Sequence, residues 1–384
     1  MLILRDRLGL TDQVAVVPPT LAVLLSLCDG TRDLAALRNG FLLRTGLPLT
    51  PAQLEDIIAR LDSALLLEGP RLAEAEAAAL ATYRSAPART PVLAGKAYPA
   101  EPEECRRVLL GYGQTHEAIS GVAGGPIRGL ISPHIDYQRG GPVYSRVWTR
   151  AAKTMSQVDV AVVLGTDHAG GPGRLTLTRQ HYATPFGVLP TATDVVDAVA
   201  EAIGEPAAFG EELHHRSEHS IELAAVWLHH VLDGGSCQIV PVLCGSFQPY
   251  VAGDGDPFEQ ATLALALSAL RRSLAGRRTL IVAAADLAHV GPAFGDERPF
   301  VAADRERLAA MDARLLGAVC SGDPAALIAG VREDQDRRRV CGLPPIYVAL
   351  QLLGETAGEV VGYAQCPADQ DGYSWVSVAG VVLR

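Results

Sequence analysis

Five apolar runs rich in β-branched residues constrain the fold more than any other feature of this sequence. They span residues 127–132, 158–165, 238–244, 279–285 and 374–383. Amphipathic helical patterns, such as residues 193–204 and 258–275, lie between them. Apolar strands that alternate with helices are typical of a mostly parallel sheet covered by helices on both faces. We therefore predict an α/β domain of this kind, with ligands bound beyond the carboxyl ends of its strands.

Residues 1–70 predict a smaller, mainly helical domain. Leu21, Leu24, Leu25 and Cys28 share one helical face, and Thr31 is a candidate N-cap for the next helix. Thr50 and Pro51 predict the start of a third helix. A short strand or wing is expected after residue 64, which would complete a winged-helix-like order. Residues 71–90 are predicted to be a helical linker, and residues 91–384 the α/β domain.

The phrase from Leu24 to Leu37, LLSLCDGTRDLAAL, resembles the PqqD-like peptide-recognition modules. This resemblance implies a protein or peptide partner for residues 1–70. A helical cap on the larger domain is the alternative interpretation. Residues 1–90 lack the basic excess that DNA-reading winged helices show.

Bulk composition excludes several classes of function. The 384 residues carry a net charge of −10, which disfavours nucleic acid as the main partner. Since no apolar run reaches the roughly 18 residues of a membrane span, we expect no membrane contact and a cytoplasmic protein. The seven scattered cysteines include no CxxC pair and indicate neither a disulfide framework nor a structural zinc finger.

Three of the predicted strands end close to a histidine. His134 follows the first run, His168 follows the second, and Asp286 and His289 follow the fourth. The sheet should gather these strand ends along one edge. Two histidines with a carboxylate or thiolate are a common ligand set for iron, zinc or copper. Taken singly, each histidine could instead be a core residue, and Asp286 could cap a helix.

Two further segments carry candidate functional residues. Glu218 and His219 begin a predicted helix and could transfer protons or support a metal ligand. Cys341 follows three arginines and precedes a helix, and both features would lower its thiol pKa and favour a thiolate. The tandem pairs His214-His215 and His229-His230 are expected at the surface.

Residues 91–384 resemble the MEMO family, whose bacterial members are called AmmeMemoRadiSam system protein B. The matching segments, in chain order, are LAGKAYPAEPEE, PHIDY, LGTDH, SEHSIEL, IVPVLCGS, AADLAHVG, VCGLPPI and DGYSWVSVAGVVL. The resemblance implies a fold similar to that of the LigB-type extradiol dioxygenases, which use non-haem iron. It also implies a functional link to a radical SAM protein and an AMMECR1-like protein.

The resemblance implies His134, His168 and Cys341 as metal ligands, and iron(II) or copper as the metal. Asp286 and His289 would line the same pocket. The chain departs from the family pattern at Ile135-Asp136, Ala169 and Leu343-Pro344, so its substrate is open.

Three hypotheses follow. In the first, the chain is a mononuclear metal oxidoreductase in which His289 or His219 is the acid or base, with Asp286 and Glu218 beside them. In the second, it is a non-catalytic metal-binding or adaptor protein. In the third, it is a metal-dependent hydrolase.

Overall fold

The computed structural model describes residues 1–113, 125–253 and 255–384. The chain divides into two compact units, Met1–Ser85 and Ala86–Arg384. Within the described ranges, none of the helices combines the length and the apolar character that crossing a membrane requires.

The first unit contains a two-stranded antiparallel hairpin followed by four helices. Its elements are β1 (Leu2–Arg5), β2 (Val14–Val17), α1 (Leu21–Leu25), α2 (Leu34–Thr45), α3 (Pro51–Ser63) and α4 (Pro70–Ser85). Leu24, Leu37, Phe41 and Leu54 form a small core between the first three helices. As predicted, Thr50 caps α3, where its hydroxyl accepts from the backbone N–H of Gln53 at 3.2 Å.

Two local predictions for this unit are wrong. The strand expected after residue 64 is absent, because the chain turns and Pro70 begins α4 instead; the strands of this unit precede its helices. The N-cap of α2 is Asp33 rather than Thr31, since the Asp33 carboxylate accepts from the N–H of Ala36 at 2.7 Å. Thr31 bonds to Asp29 and closes the preceding turn.

The second unit alternates strands and helices along most of its length. Its helices are α5 (Pro102–Gly113), α6 (Tyr137–Met155), α7 (Thr193–Ile203), α8 (Glu205–Phe209), α9 (His214–Ser217), α10 (Ser220–Leu232), α11 (Gln248–Ala252), α12 (Ala261–Leu274), α13 (Ala302–Cys320), α14 (Pro324–Arg332) and α15 (Leu343–Leu353). Its strands are β3 (Gly129–Ser132), β4 (Val160–Thr166), β5 (Leu175–Leu177), β6 (Tyr182–Thr184), β7 (Gly187–Leu189), β8 (Gln238–Cys244), β9 (Thr279–Ala284), β10 (His289–Val290), β11 (Gly358–Pro367) and β12 (Trp375–Leu383).

The centre of the main sheet is parallel, which confirms the predicted fold class. Strands β3, β9, β4 and β8 are neighbours in that order and run in one direction. Ser132 lies opposite Ala284, which lies opposite Gly165, so the strands end at nearly the same level. The flanking strands β5 and β12 are antiparallel to their neighbours β8 and β3.

Helices cover both faces of this sheet. Alternate residues of β9 enter different cores: Ile281 and Ala283 pack on one face, and Leu280 and Val282 pack on the other. Helices α7, α12 and α15 supply buried residues to the first core, and α6 and α10 supply them to the second. Both faces of the sheet are therefore buried in apolar cores, and the polar side chains of the parallel strands lie at the strand ends.

A buried ion pair fastens the start of this unit to α10. The side chains of Arg89 and Glu222 pair directly, and neither is exposed to solvent. The Glu222 carboxylate also accepts from the N–H groups of Val92 and Leu93, at 2.9 and 2.8 Å, and from the Tyr98 hydroxyl at 2.6 Å. Four donors thus compensate the desolvation of one buried carboxylate.

Replacing Glu222 with glutamine leaves the Arg89 guanidinium buried without a counter-charge. We expect Glu222→Gln to lower the free energy of unfolding by about 3–5 kcal/mol. Urea denaturation followed by tryptophan fluorescence measures this loss in the second unit, which holds all three tryptophans. The control is Glu359→Gln, because the Glu359 side chain is 28% exposed and pairs with Arg150 at 3.3 Å. That control should cost about 0–1 kcal/mol, and equal losses would contradict the prediction.

Candidate metal centre

The candidate functional residues lie together at the carboxyl edge of the parallel strands. His134 follows β3, His168 follows β4, and Asp286 and His289 follow β9. Cys341 lies two residues before α15, and Glu218 and His219 precede α10. These side chains line one cavity, except for Glu218, which contacts the histidines from behind.

His134 presents one fixed nitrogen to the cavity. Its Nδ1 lies 2.9 Å from the carbonyl oxygen of Ala284, which can only accept, so Nδ1 carries the proton. Nε2 therefore keeps its lone pair and lies 3.4 Å from the Cys341 thiol. Burial, together with the nearby His168 and His219 rings, lowers the pKa of His134 to about 3. The ring is neutral at pH 7, as a metal ligand must be.

The Glu218 carboxylate orients two histidines at once. One of its oxygens accepts from His168 Nδ1 at 2.9 Å, and the other lies 3.1 Å from His219 Nδ1. The rings stack with centroids 5.3 Å apart, and each lies edge-on to His134. Although burial opposes its charge, bonds from both histidines hold the pKa of Glu218 well below its usual range.

Asp286 supports His134 from the backbone side. One carboxylate oxygen accepts from the N–H of His134 at 2.8 Å, and the other lies 3.8 Å from His134 Nε2. Asp286 is therefore not a helix cap. Burial raises its pKa, so it can hold a proton more readily than an exposed aspartate.

His289 repeats the arrangement of the other histidines. Its Nδ1 lies 3.2 Å from the carbonyl oxygen of Arg339, so Nε2 is again free. Burial lowers the pKa of His289, which makes the neutral ring the main form. All four imidazoles of the cavity wall are thus anchored through Nδ1.

The backbone next to Cys341 packs closely against the backbone of Asp286, and this contact places Cys341 at the site. The N–H of Gly342 donates to the carbonyl of Asp286 at 3.1 Å. A Cβ atom at position 342 would lie only 2.2 Å from that oxygen, so only glycine fits there. The Thr166 hydroxyl also donates to the Cys341 carbonyl, at 3.2 Å.

The expected lowering of the Cys341 pKa is wrong for the metal-free chain. Burial, and then the charge of Asp286, raise the pKa of this thiol well above its ordinary value. The preceding arginines point elsewhere: Arg338 pairs with Asp334 and Arg339 with Asp296. Without a cation beside it, Cys341 holds its proton.

Among the residues that the structure describes, three groups of side chains bring potential ligand atoms within 4.8 Å of one another: His134 with His168 and Cys341; His168 with Glu218 and His219; and Asp167 with Glu211 and His214. Hydrogen bonds engage the carboxylates of the last two. The oxygens of Glu218 accept from backbone N–H groups and both rings. Asp167 accepts from His214, and Glu211 from Gly171. In the first group the potential ligand atoms contact one another, since the Cys341 thiol lies 3.4 Å from His134 Nε2.

Two members of the first group, His168 and Cys341, line both of two cavities. The larger, of 740 Å3, is lined by the four histidines and by apolar side chains that include Leu93, Ile135, Phe294 and Val376. The smaller, of 190 Å3, lies beyond His168 and Cys341. Cys244 and the unusual Leu343-Pro344 line the smaller cavity, and Asp136 lines the larger one.

Sequence reasoning missed some of the support for these side chains. Arg89 donates to the carbonyl oxygens of His215 and Glu218, each at 2.7 Å, and so holds the start of α10. His215, expected at the surface, is fully buried, with Nδ1 2.7 Å from the Tyr182 hydroxyl. No local pattern distinguishes it from His214, because burial here depends on contacts distant in sequence.

Comparisons with known proteins agree with this architecture. The family model for Memo-like proteins matches residues 89–382. A MEMO1 family protein of Aquifex aeolicus is 25% identical over 388 residues, which cover 99% of this chain and 95% of that protein. A MEMO1 family protein of Methanopyrus kandleri is 27% identical over 310 residues, or 77% of this chain and 99% of that protein.

Removing the Glu218 charge should change the titration of His168. Burial opposes the charged His168 ring, but the bond and the charge of Glu218 raise its pKa above the usual value. In Glu218→Gln the charges of Asp286 and Asp167 remain, but the bond and the charge of Glu218 are lost, so the pKa of His168 should fall. NMR titration of 15N-labelled histidines in metal-free protein measures this. Glu211→Gln, which alters a carboxylate bonded to Gly171, should leave the value unchanged; an unchanged value in Glu218→Gln would contradict the assignment.

Proposed function

This chain belongs to the Memo-like protein family, and we propose that its second unit binds one redox-active metal ion through His134, His168 and Cys341. Iron(II) is the expected ion and copper the alternative. The proposed activity is that of an oxidoreductase similar to the extradiol dioxygenases, acting on an organic substrate in the larger cavity.

One observation carries the proposal: two imidazoles and a thiol converge, with ligand atoms within 4.8 Å of one another. His134 and His168 are both fixed through Nδ1, which leaves Nε2 for a metal. A bound cation would favour the Cys341 thiolate, since metal binding releases the proton of a ligating thiol. Nitrogen and sulfur donors suit iron, zinc and copper better than magnesium or calcium.

The larger cavity suits an organic substrate with a polar end. Its 740 Å3 volume lies in the range of small-molecule sites, and its apolar wall faces the polar histidine cluster. Leu93, Ile135 and Phe294 belong to that apolar wall. A substrate would bury its carbon framework there and direct its oxygen atoms toward His134 and His168.

The metal would supply a Lewis acid and a redox centre. Protein side chains then handle protons around the substrate. His219 and His289 each expose a free Nε2 to the cavity and are suited to accept a proton from a substrate hydroxyl. Asp286 lines the same space, and burial raises the pKa of its carboxyl. Glu218 has no uncommitted oxygen, so its role is to orient His168 and His219.

Metal content tests the ligand assignment. Protein purified without oxygen should contain one metal ion per chain, and His134→Ala or Cys341→Ser should remove most of it, measured by elemental mass spectrometry. His229→Ala and Cys28→Ser are the matched controls, since both residues lie outside the cavity. Full metal content in both site variants would show that the assignment is wrong.

Oxygen consumption tests the reaction. Iron-loaded protein should consume oxygen when a catechol is added, and His219→Ala and His289→Ala should slow that consumption by about 100-fold or more, the usual effect of losing a general acid or base. Metal binding without uptake for any diol would favour the adaptor hypothesis over the oxidoreductase.

A feature of the first unit favours a second function, peptide binding. Strand β2 pairs with β1 alone among the described residues, so one of its edges is open. A groove of 490 Å3 lies between β2 and α3, where it is lined by Val16, Leu21, Ile57 and Arg60. An open strand edge beside a groove suits an extended peptide, which adds main-chain hydrogen bonds to the sheet.

Peptides selected from a random library on the intact protein should use this groove. We expect Arg60→Glu, on the wall of the groove, to weaken the selected peptides by tenfold or more in fluorescence anisotropy. Arg44→Glu makes the same charge change on α2, outside the groove. Equal binding to both variants would contradict a peptide site between β2 and α3.

A further inference from the structure

We propose that Arg338 is a positioning residue for the metal centre. Its side chain contacts the buried carboxylate of Asp312, and in this way Arg338 holds the loop that carries Cys341 and that bonds to His289. The inference rests on the proposed metal site and concerns residues that lie outside it. Arg338 lines neither of the two cavities that meet at His168 and Cys341.

The loop between α14 and α15 adopts an unfavourable backbone conformation. Gln335, Asp336 and Arg339 have φ angles of 56°, 54° and 52°. Side chains with a Cβ atom rarely adopt this left-handed region. In the described part of the chain, only Leu65 and Asp233 are other non-glycine residues with positive φ. Three such residues in five positions persist only where surrounding contacts determine the conformation.

Arg338 supplies those contacts from within the protein. Its side chain is 7% exposed. Its Nε donates to Asp334 at 2.7 Å and one Nη to the Gly330 carbonyl at 3.1 Å. The other Nη lies 3.5 Å from the Asp312 carboxylate, whose side chain is fully buried on α13. The guanidinium thus joins its own loop and the end of α14 to α13.

The same residue is joined directly to the site. The carbonyl of Arg338 accepts from the N–H of His289 at 2.6 Å, and the carbonyl of Arg339 lies 3.2 Å from His289 Nδ1. Cys341 lies three residues after Arg338. Displacement of Arg338 would therefore move the thiol and change the orientation of the His289 ring together.

Asp312 also reaches the other loop of the site. It accepts from the Tyr363 hydroxyl at 2.9 Å. Burial raises the pKa of Asp312, and the nearby Ser377 hydroxyl acts in the opposite direction. The Ser377 hydroxyl accepts from the N–H of Ala288 at 3.0 Å, beside His289. One buried carboxylate thus supports both the loop that carries Asp286 and His289 and the loop that carries Cys341.

Cobalt(II) titration of the full chain tests this role, because a thiolate ligand gives bound cobalt a charge-transfer absorption. We expect Arg338→Met to weaken cobalt binding by about 10–100-fold, the usual effect of losing a group that orients a ligand. The charge-transfer absorption per bound cobalt should also fall. Arg338→Lys should lie between Arg338→Met and the wild type. Arg337→Met is the matched control, since Arg337 is exposed, and it should match the wild type.

Two measurements separate positioning from loss of folding. Thermal unfolding of the metal-free variants shows whether the second unit is intact. Peptide-resolved iodoacetamide labelling then reports on Cys341, which should react faster in folded Arg338→Met than in the wild type. If Arg338→Met does not fold, Asp334→Asn, which weakens only one contact of Arg338, should give the same changes in smaller measure.

The outcomes distinguish this inference from the function on which it rests. A wild-type protein that binds cobalt without the charge-transfer band contradicts the proposed metal site itself. A wild type that shows the band, together with a folded Arg338→Met of equal affinity and equal absorption, overturns the role of Arg338 and leaves the metal site intact.

Discussion

The bond between the Glu218 carboxylate and two imidazoles is the interaction on which the rest of the site depends. Glu218 fixes the tautomers of His168 and His219, and so directs both Nε2 atoms toward the cavity. Its own position is set by Arg89, which donates to the Glu218 carbonyl and pairs with Glu222. A side chain at the beginning of the second unit therefore controls the geometry of residues more than a hundred positions later.

Much of the α/β fold could be predicted, because its central strands are apolar on both faces. Each of the five apolar runs forms a strand, and the histidines that follow three of them meet at one edge. Strand β11 was not predicted, since half-exposed residues interrupt its pattern. The state of the Cys341 thiol was predicted wrongly because neighbours in sequence do not determine where arginine side chains point. The Arg338 side chain contacts Asp312 on α13, and the Arg339 side chain pairs with Asp296.

The first unit shows the same division between local and distant information. The start of α3 was predicted correctly because Thr50, Pro51 and Gln53 form a complete local signal. The strand expected after residue 64 was wrong because a short leucine run suits a strand or the end of a helix equally well. The hairpin of β1 and β2 went unpredicted, since each strand has only four residues.

The order of the site residues along the chain has a consequence for biosynthesis. His134 and His168 emerge from the ribosome long before Cys341, which lies 207 positions after His134. Domains generally fold as units during synthesis, and here β9 must insert between β3 and β4 before Asp286 can reach His134. A partly synthesised chain therefore offers two histidines without their thiol partner. At the proposed metal site, binding of the ion would therefore be a late event, after the second unit has folded.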